Sequence, residues 1–264
     1  HERTEPRAHR TTEGKDSYMT RNVFVIGMND LNAERLTRLR GVEDVVFHPL
    51  LTPEAVSETQ EFDIPAMLAE AEATLDAFDG SIDAIVGYID FPVSTMLPLL
   101  CRKYGTRNAS LEALLKCEHK FWSRKVMAEV VPDHVPTFTA FDPFDDGALS
   151  KVGEAGLRFP FFVKPIKSSG SRLGFRIDSP EDFEYAVGKL RAEIGQISEP
   201  FNHVLDRADM PADIRAIDGR YCMAERVIGG RQCTLEGYVH DGEVVPYAVV
   251  DSIRYPQVLS FFYY

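Results

Sequence analysis

Four cysteines are scattered along the chain, at Cys101, Cys117, Cys222 and Cys233, and none falls in a C-x-x-C spacing. That removes the usual zinc arrangements and a disulfide framework, and leaves the reduced thiols of a cytoplasmic protein as the simplest reading. Cations are in deficit. Lys plus Arg number 29 against 41 Asp plus Glu, a formal net charge of −12. A general nucleic-acid surface is therefore not expected, because a phosphate backbone needs clustered cations; a local basic pocket remains open. Long apolar runs are also missing. No stretch approaches the roughly 20 residues needed to cross a bilayer, so no membrane partner is expected. Neither G-x-G-x-x-G nor G-x-x-x-x-G-K-[ST] occurs, which leaves a nicotinamide, flavin or P-loop site without its fingerprint. Residues 1–20 are polar and lack the apolar centre of a secretory signal; they read as a disordered leader, with Met19 the expected start.

What is present is a globular composition: 264 residues, 44% hydrophobic and 27% charged, long enough for two cores. Asn22–Gly27, Val45–His48 and Asp83–Tyr88 read as strands, and helices are predicted over Asp30–Leu39, after Asp63, and after Asp90. Alternating strands and helices imply an α/β fold with a small parallel sheet covered on both faces. Such sheets place ligands beyond the carboxyl ends of their strands, which nominates Gly27–Asp30 and Tyr88–Asp90. Asp90 could meet a substrate amine or cap the following helix, and capping is the more general role.

The stretch Phe159–Arg176, FPFFVKPIKSSGSRLGFR, is more specific. Pro160–Val163 reads as a short buried strand with Lys164 at its end, and Phe175–Ile177 as the returning strand of a hairpin. Between them Lys167–Gly174 carries two glycines, three serines and two further cations. Glycines let a backbone approach an anion, amides and hydroxyls donate to phosphate oxygens, and lysine adds charge. A solvated hairpin tip would have a similar composition, and the stretch alone does not separate the two readings.

Before this hairpin, Asn108–Pro132 reads as two helical pieces opened by Ser110, with Lys116, Lys120, Arg124 and Lys125 on or near one face. A strand TFTAF and a helix over about Asp145–Ala155 follow. After the hairpin, Pro180 opens a helix whose buried stripe is Phe183, Val187 and Leu190; Glu199–Asp218 reads as irregular, with His203 an ordinary loop histidine. Arg220–Ile228 is a strand, and Gln232–Val239 with Glu243–Val250 form a hairpin about His240-Asp241-Gly242. The aromatic end SFFYY suggests that the sequence is incomplete.

In this order the elements resemble the ATP-grasp superfamily, in particular the branch of carbamoyl phosphate synthetase and biotin carboxylase. The resemblance runs from Val23 onward. It implies a pre-ATP-grasp Rossmann-like domain over 21–107, a helical linker over 108–135, an α+β ATP-grasp lid over 136–229, and the start of a catalytic subdomain over 230–264. Lys120 looks like the family's first phosphate-contacting lysine and Lys164, 44 residues later, like the second. SSGSRLG resembles the loop that folds over the phosphates, with Ser168, Ser169, Gly170, Ser171 and Gly174 offering donors or close approach. Glu225 resembles the hinge glutamate that accepts from the adenine amino group, Val227 would bond the purine edge, and Glu236 is the most suitable ribose ligand. The family's magnesium ligands belong beyond residue 264.

The resemblance implies an ATP- and Mg2+-dependent ligase that activates a small-molecule carboxylate as an acyl phosphate for an amine or other nucleophile. Arg172 and Arg176 could meet that carboxylate. A homo-oligomer is compatible with it. The alternative is a non-catalytic nucleotide-binding or interaction protein that has kept the fold, and a third reading joins a Rossmann-like domain to an unrelated β-rich appendage. Convergence of Lys120, Lys164 and Glu225 in space would exclude the third.

Overall fold

The computed structural model describes residues 20–58, 62–168, 170, 172–254 and 261–263. The leader with Met19, and the loop serines Ser169 and Ser171, lie outside the described residues.

The first sheet is parallel, in the order β2-β1-β3, from β1 (Arg21–Ile26), β2 (Val45–Leu50) and β3 (Ala84–Gly87). Between them run α1 (Asp30–Leu36) and α2 (Ile64–Asp76), and α3 (Val93–Tyr104) follows β3. Alternation along β1 sends Phe24 and Ile26 into a core with Leu50, Ile85, Leu68, Leu75, Met96 and Leu100. The opposite face is covered only in part: Val25 of the central strand is buried there, but α1 buries no residue and Val86 is 40% exposed. The expected burial on both faces is thus incomplete, because α1 is a seven-residue helix without an apolar stripe.

Asp63 caps α2 by accepting from the Ala66 amide, as its place before the apolar stripe predicts. Asp90 does not cap α3. The N-cap is Pro92, with no side-chain bond, and Asp90 accepts instead from the Phe91 amide. Gly87 is required by packing, since a Cβ there would sit 2.5 Å from Val93 Cγ1.

The linker folds as α4 (Leu111–Glu118), capped by Ser110, and α5 (Lys120–Val130), capped by His119. His119 is fully buried. Its Nδ1 accepts from the Trp122 amide at 3.1 Å, so Nε2 carries the hydrogen and donates to the Ile217 carbonyl at 2.7 Å.

The second sheet has the order β4-β7-β5-β6 and is antiparallel, built from β4 (Phe138–Phe141), β5 (Phe161–Pro165), β6 (Phe175–Ile177) and β7 (Cys222–Arg226). Helices α6 (Ala148–Glu154) and α7 (Pro180–Glu193) cover one face, where Phe161, Val163, Ile177, Phe183, Val187, Leu190, Cys222 and Ala224 form a second core. Lys164 lies within β5 rather than at its end.

The 199–218 stretch is not irregular. It holds most of α8 (Gly195–Leu205) and all of α9 (Ala212–Arg215). Prolines at 200 and 211 argue locally against helix. Burial of Phe201, Val204 and Leu205, at helical spacing, outweighs the one lost backbone bond, and His203 is consequently helical. Beyond β7, β8 (Cys233–His240) and β9 (Glu243–Asp251) pair across a two-residue turn in which Asp241 and Gly242 both have positive φ. Leu235, Val239, Val244 and Val249 are each at least 66% exposed on this hairpin. Two short strands, β10 (Ile253–Arg254) and β11 (Phe261–Tyr263), pair with each other.

Candidate functional site

Strand alternation assembles the site. On β5, Phe161 and Val163 point into the second core, so Phe162 and Lys164 point away from it. On β7, Cys222 and Ala224 do the same, so Met223 and Glu225 join the opposite face. The register sets Phe162 beside Glu225 and Lys164 beside Met223, one diagonal step from the carboxylate. Helix α5 lies over this face, with Phe121 against Phe138, ring centres 5.7 Å apart. Lys120 and Arg124, four residues apart, therefore reach the same place.

Glu225 is 7% exposed, and both its oxygens are engaged. Lys164 donates to Oε1, and Arg124 Nε donates to Oε2 at 3.0 Å. Arg226, the neighbour most easily imagined as its ion-pair partner, is not. Lys120 Nζ donates to the Ser168 carbonyl at 2.7 Å and to its hydroxyl at 3.2 Å, while the Lys120 amide bonds the Ile166 carbonyl at 3.1 Å. Burial, with the charges of Lys167 and Lys164 added, pulls the Lys120 ammonium down to about 7.

A second ion cluster adjoins the first. Lys167 is 5% exposed, donates to Glu118, and stands 3.6 Å from Asp90. Its ammonium also lies 5.3 Å from the Phe91 ring centre. Ser94 fixes Glu118 from the other side at 2.9 Å. Burial pushes the Asp90 carboxyl up, but Lys167 and the Phe91 amide outweigh it and leave the group below its ordinary value. Asp90 thus faces a lysine at the strand end, where a capping role was expected.

A cleft of about 510 Å3 opens between these groups and the segment after β7. It is lined by Lys120, Lys164, Ser168, Gly170, Gly174 and Glu225 among the residues nominated from sequence. Val227 and Glu236 do not line it; Glu236 sits on β8, and Ile228 reaches the cleft in place of Val227. Phe162, Arg172, Arg226 and Arg231 complete the wall together with Gly229 and Gly230. Five cations thus meet one carboxylate. Arg231 is itself paired with Asp251, yet the balance still favours a multiply charged anion. Gly170 and Gly230 adopt φ of 58° and 99°, and a Cβ at either would meet nothing, so their conformation is what calls for glycine.

The four cations of the linker do not share a face. Lys116 stands over the Trp122 ring at 5.8 Å and Lys125 pairs with Asp213, both on a separate groove of about 630 Å3 behind α5. Arg176 is also elsewhere, closed onto Asp178 in a bidentate pair. The sequence reading placed Arg124 among the linker cations without nominating it for the site, and it missed the Glu118–Lys167 pair. Arg124 was visible as one turn beyond Lys120, whereas Glu118 and Lys167 are 49 residues apart and carry no local signal.

No protein-family model matches the sequence, and no curated protein matches it. Solved structures do. An L-amino acid ligase from Bacillus licheniformis superposes with a TM-score of 0.61 at 17% identity, over 92% of this chain and 55% of its own. The D-alanyl-alanine synthetase A of Vibrio cholerae gives 0.58 at 12% identity, over 90% of this chain and 68% of its own. The fold is the ATP-grasp fold. A third ATP-grasp structure, carboxyaminoimidazole ribonucleotide synthase from Aspergillus clavatus complexed with ATP, gives 0.51 at 16% identity, over 90% of this chain and 55% of its own. The chain spans 55% of the length of the first of these neighbours. Among the described residues no group of three or more His, Cys, Asp or Glu side chains is placed to hold a metal ion, and no helix is long and apolar enough to cross a membrane.

Proposed function

We propose that this chain carries the nucleotide-binding part of an ATP-dependent ligase that joins a carboxylate to an amine or another nucleophile. The observation that supports it best is the convergence of Lys120, Lys164 and Glu225, from α5, β5 and β7, on one cleft beside the glycine- and serine-containing loop. The phosphates occupy the end with Lys120, Lys164, Ser168 and Arg172, where ammonium and guanidinium groups offset their charge. The base occupies the end with Phe162, Ile228 and Glu225, two apolar surfaces and one acceptor. Glu225 has spent one lone pair on each oxygen and retains others for an amino group.

In the reaction, an oxygen of the substrate carboxylate attacks the terminal phosphorus, and the bond to the ADP oxygen breaks. The resulting acyl phosphate is then attacked at carbon by the nucleophile, and phosphate leaves. Lys120 and Lys164 stabilise charge on the transferring group, and Ser168, Gly170 and Arg172 shield it from water. Magnesium is the usual bridge between β- and γ-phosphate oxygens. Among the described residues, no set of carboxylates is grouped to hold such an ion. A reducing, cytoplasmic setting agrees with four unpaired cysteines.

Calorimetric titration of the 264-residue chain with ATP and Mg2+, beside Lys164→Ala, tests the site. Loss of the ammonium is expected to weaken binding at least tenfold, the range for a charge-assisted contact. Equal binding by both proteins would place the nucleotide elsewhere.

A further inference from the structure

A second pocket, of about 470 Å3, shares Ser168 and Arg172 with the nucleotide cleft and extends from them toward the carboxyl ends of the parallel sheet. Its size lies in the range of small-molecule sites. Five of its lining residues are apolar: Val56, Phe62, Ile89, Phe91 and Ile197. They come from segments that follow the strands of the first sheet and from α8, and Lys167, Ser168 and Arg172 of the β5–β6 connection close the remaining side. Gly27 brings part of this wall together. A Cβ there would stand 2.6 Å from Val56 Cγ2 and 2.9 Å from Ile89 Cδ1. Any other residue would push these two side chains apart.

Two cations and one carboxylate, that of Glu193, line the pocket, and the cations differ in what already holds them. Lys167 is committed to Glu118 and Asp90. Arg172 bonds the neutral Gln196 side chain at 2.6 Å and, among the described residues, has no carboxylate partner. A guanidinium so placed presents a fork that fits a carboxylate. It lies at the seam between the pocket and the phosphate end of the cleft.

Resting on the reading of the cleft as a nucleotide site, we infer that this pocket receives the acid to be activated, and that it selects a carboxylate with an apolar body of aromatic-ring size. The carboxylate end meets Arg172 and Ser168, beside the position of the terminal phosphate. The apolar body packs on Phe62, Phe91, Ile89 and Ile197, where removing it from water supplies the selectivity.

The test is calorimetric titration of the 264-residue chain with 3-phenylpropionate, 3-phenylpropanamide and acetate, with ADP binding measured on the same samples. The phenyl acid is expected to bind at least tenfold more tightly than either the amide, which lacks the charge, or acetate, which lacks the ring. Ile197→Glu, on the wall away from the nucleotide, should weaken 3-phenylpropionate at least tenfold and leave ADP affinity unchanged. Equal affinities for the three compounds in the wild type would overturn the inference without recourse to any variant. So would unchanged 3-phenylpropionate binding by a folded Ile197→Glu protein. Failure of the wild type to bind ADP would overturn the nucleotide reading and, with it, the pocket's role in activation, whatever the acid itself does.

Discussion

Lys120 should take up a proton when a nucleotide binds. In the free protein its ammonium is pulled from the ordinary 10.5 down to about 7 by burial and by Lys167 and Lys164. At pH 8 about a tenth of the molecules then carry the proton, and at pH 7 about half. One phosphate charge about 4 Å away contributes about 4 kcal/mol at an effective dielectric near 20, which is about three pKa units. Binding therefore restores an ordinary lysine and draws in about 0.9 proton per site at pH 8. Calorimetry in buffers of different ionisation enthalpy measures that number as the slope of apparent binding enthalpy. The terminal phosphate is fully ionised at pH 8, so its own titration does not intrude. Affinity should also fall toward tenfold per pH unit above pH 7. Lys120→Arg keeps its charge throughout, and its slope should be near zero. A wild-type slope near zero at pH 8, or the same slope in Lys120→Arg, would refute the reasoning.

Two stability predictions accompany it. Glu225→Gln removes the negative partner of Lys164 and Arg124 at a site 7% exposed, and urea denaturation is expected to show a loss of about 2–4 kcal/mol. Buried His119 is held below its ordinary value by desolvation. The unfolded chain therefore binds the proton first as pH falls, and stability present above pH 6.5 declines below it until the folded form titrates as well. Denaturation midpoints at pH 7.5 and 5.5 check this, and His119→Asn should flatten the difference.

Much of this architecture was legible in residue pattern. The strands beginning near residues 21, 45 and 84, the Asp63 and Ser110 caps, the helix opened by Pro180, and the Asp241-Gly242 turn all obey local rules, and the structure places them close to where those rules put them. What pattern could not supply were decisions made by tertiary packing. Pro200 reads as a helix breaker until Phe201 is seen fully buried against Phe91 and His119. Asp90 reads as a cap until Lys167, 77 positions away, is brought within 3.6 Å. For the site, Lys120, Lys164 and Glu225 carried a joint signal through their order and spacing. The apolar reach of Ile228 depended on how the chain leaves β7, which no periodicity encodes. Arg226 offered itself to Glu225 by sequence adjacency, but the carboxylate's two oxygens are taken by Lys164 and Arg124, which come from β5 and α5.

Alternation along β5 and β7 also keeps the site correct. Odd and even positions of β5 and β7 are sorted by the same hydrogen-bond ladder, so hydrophobic and ionic side chains cannot be misplaced independently. A slip of one residue would drive Lys164 into the space of Val163 and move Phe161 to the cleft side, a loss the fold could not absorb. Any molecule that has completed its second core has already set its charges on the cleft side. Folding thereby acts as an inspection step, and a stable but misassembled site is not among the states open to this sheet.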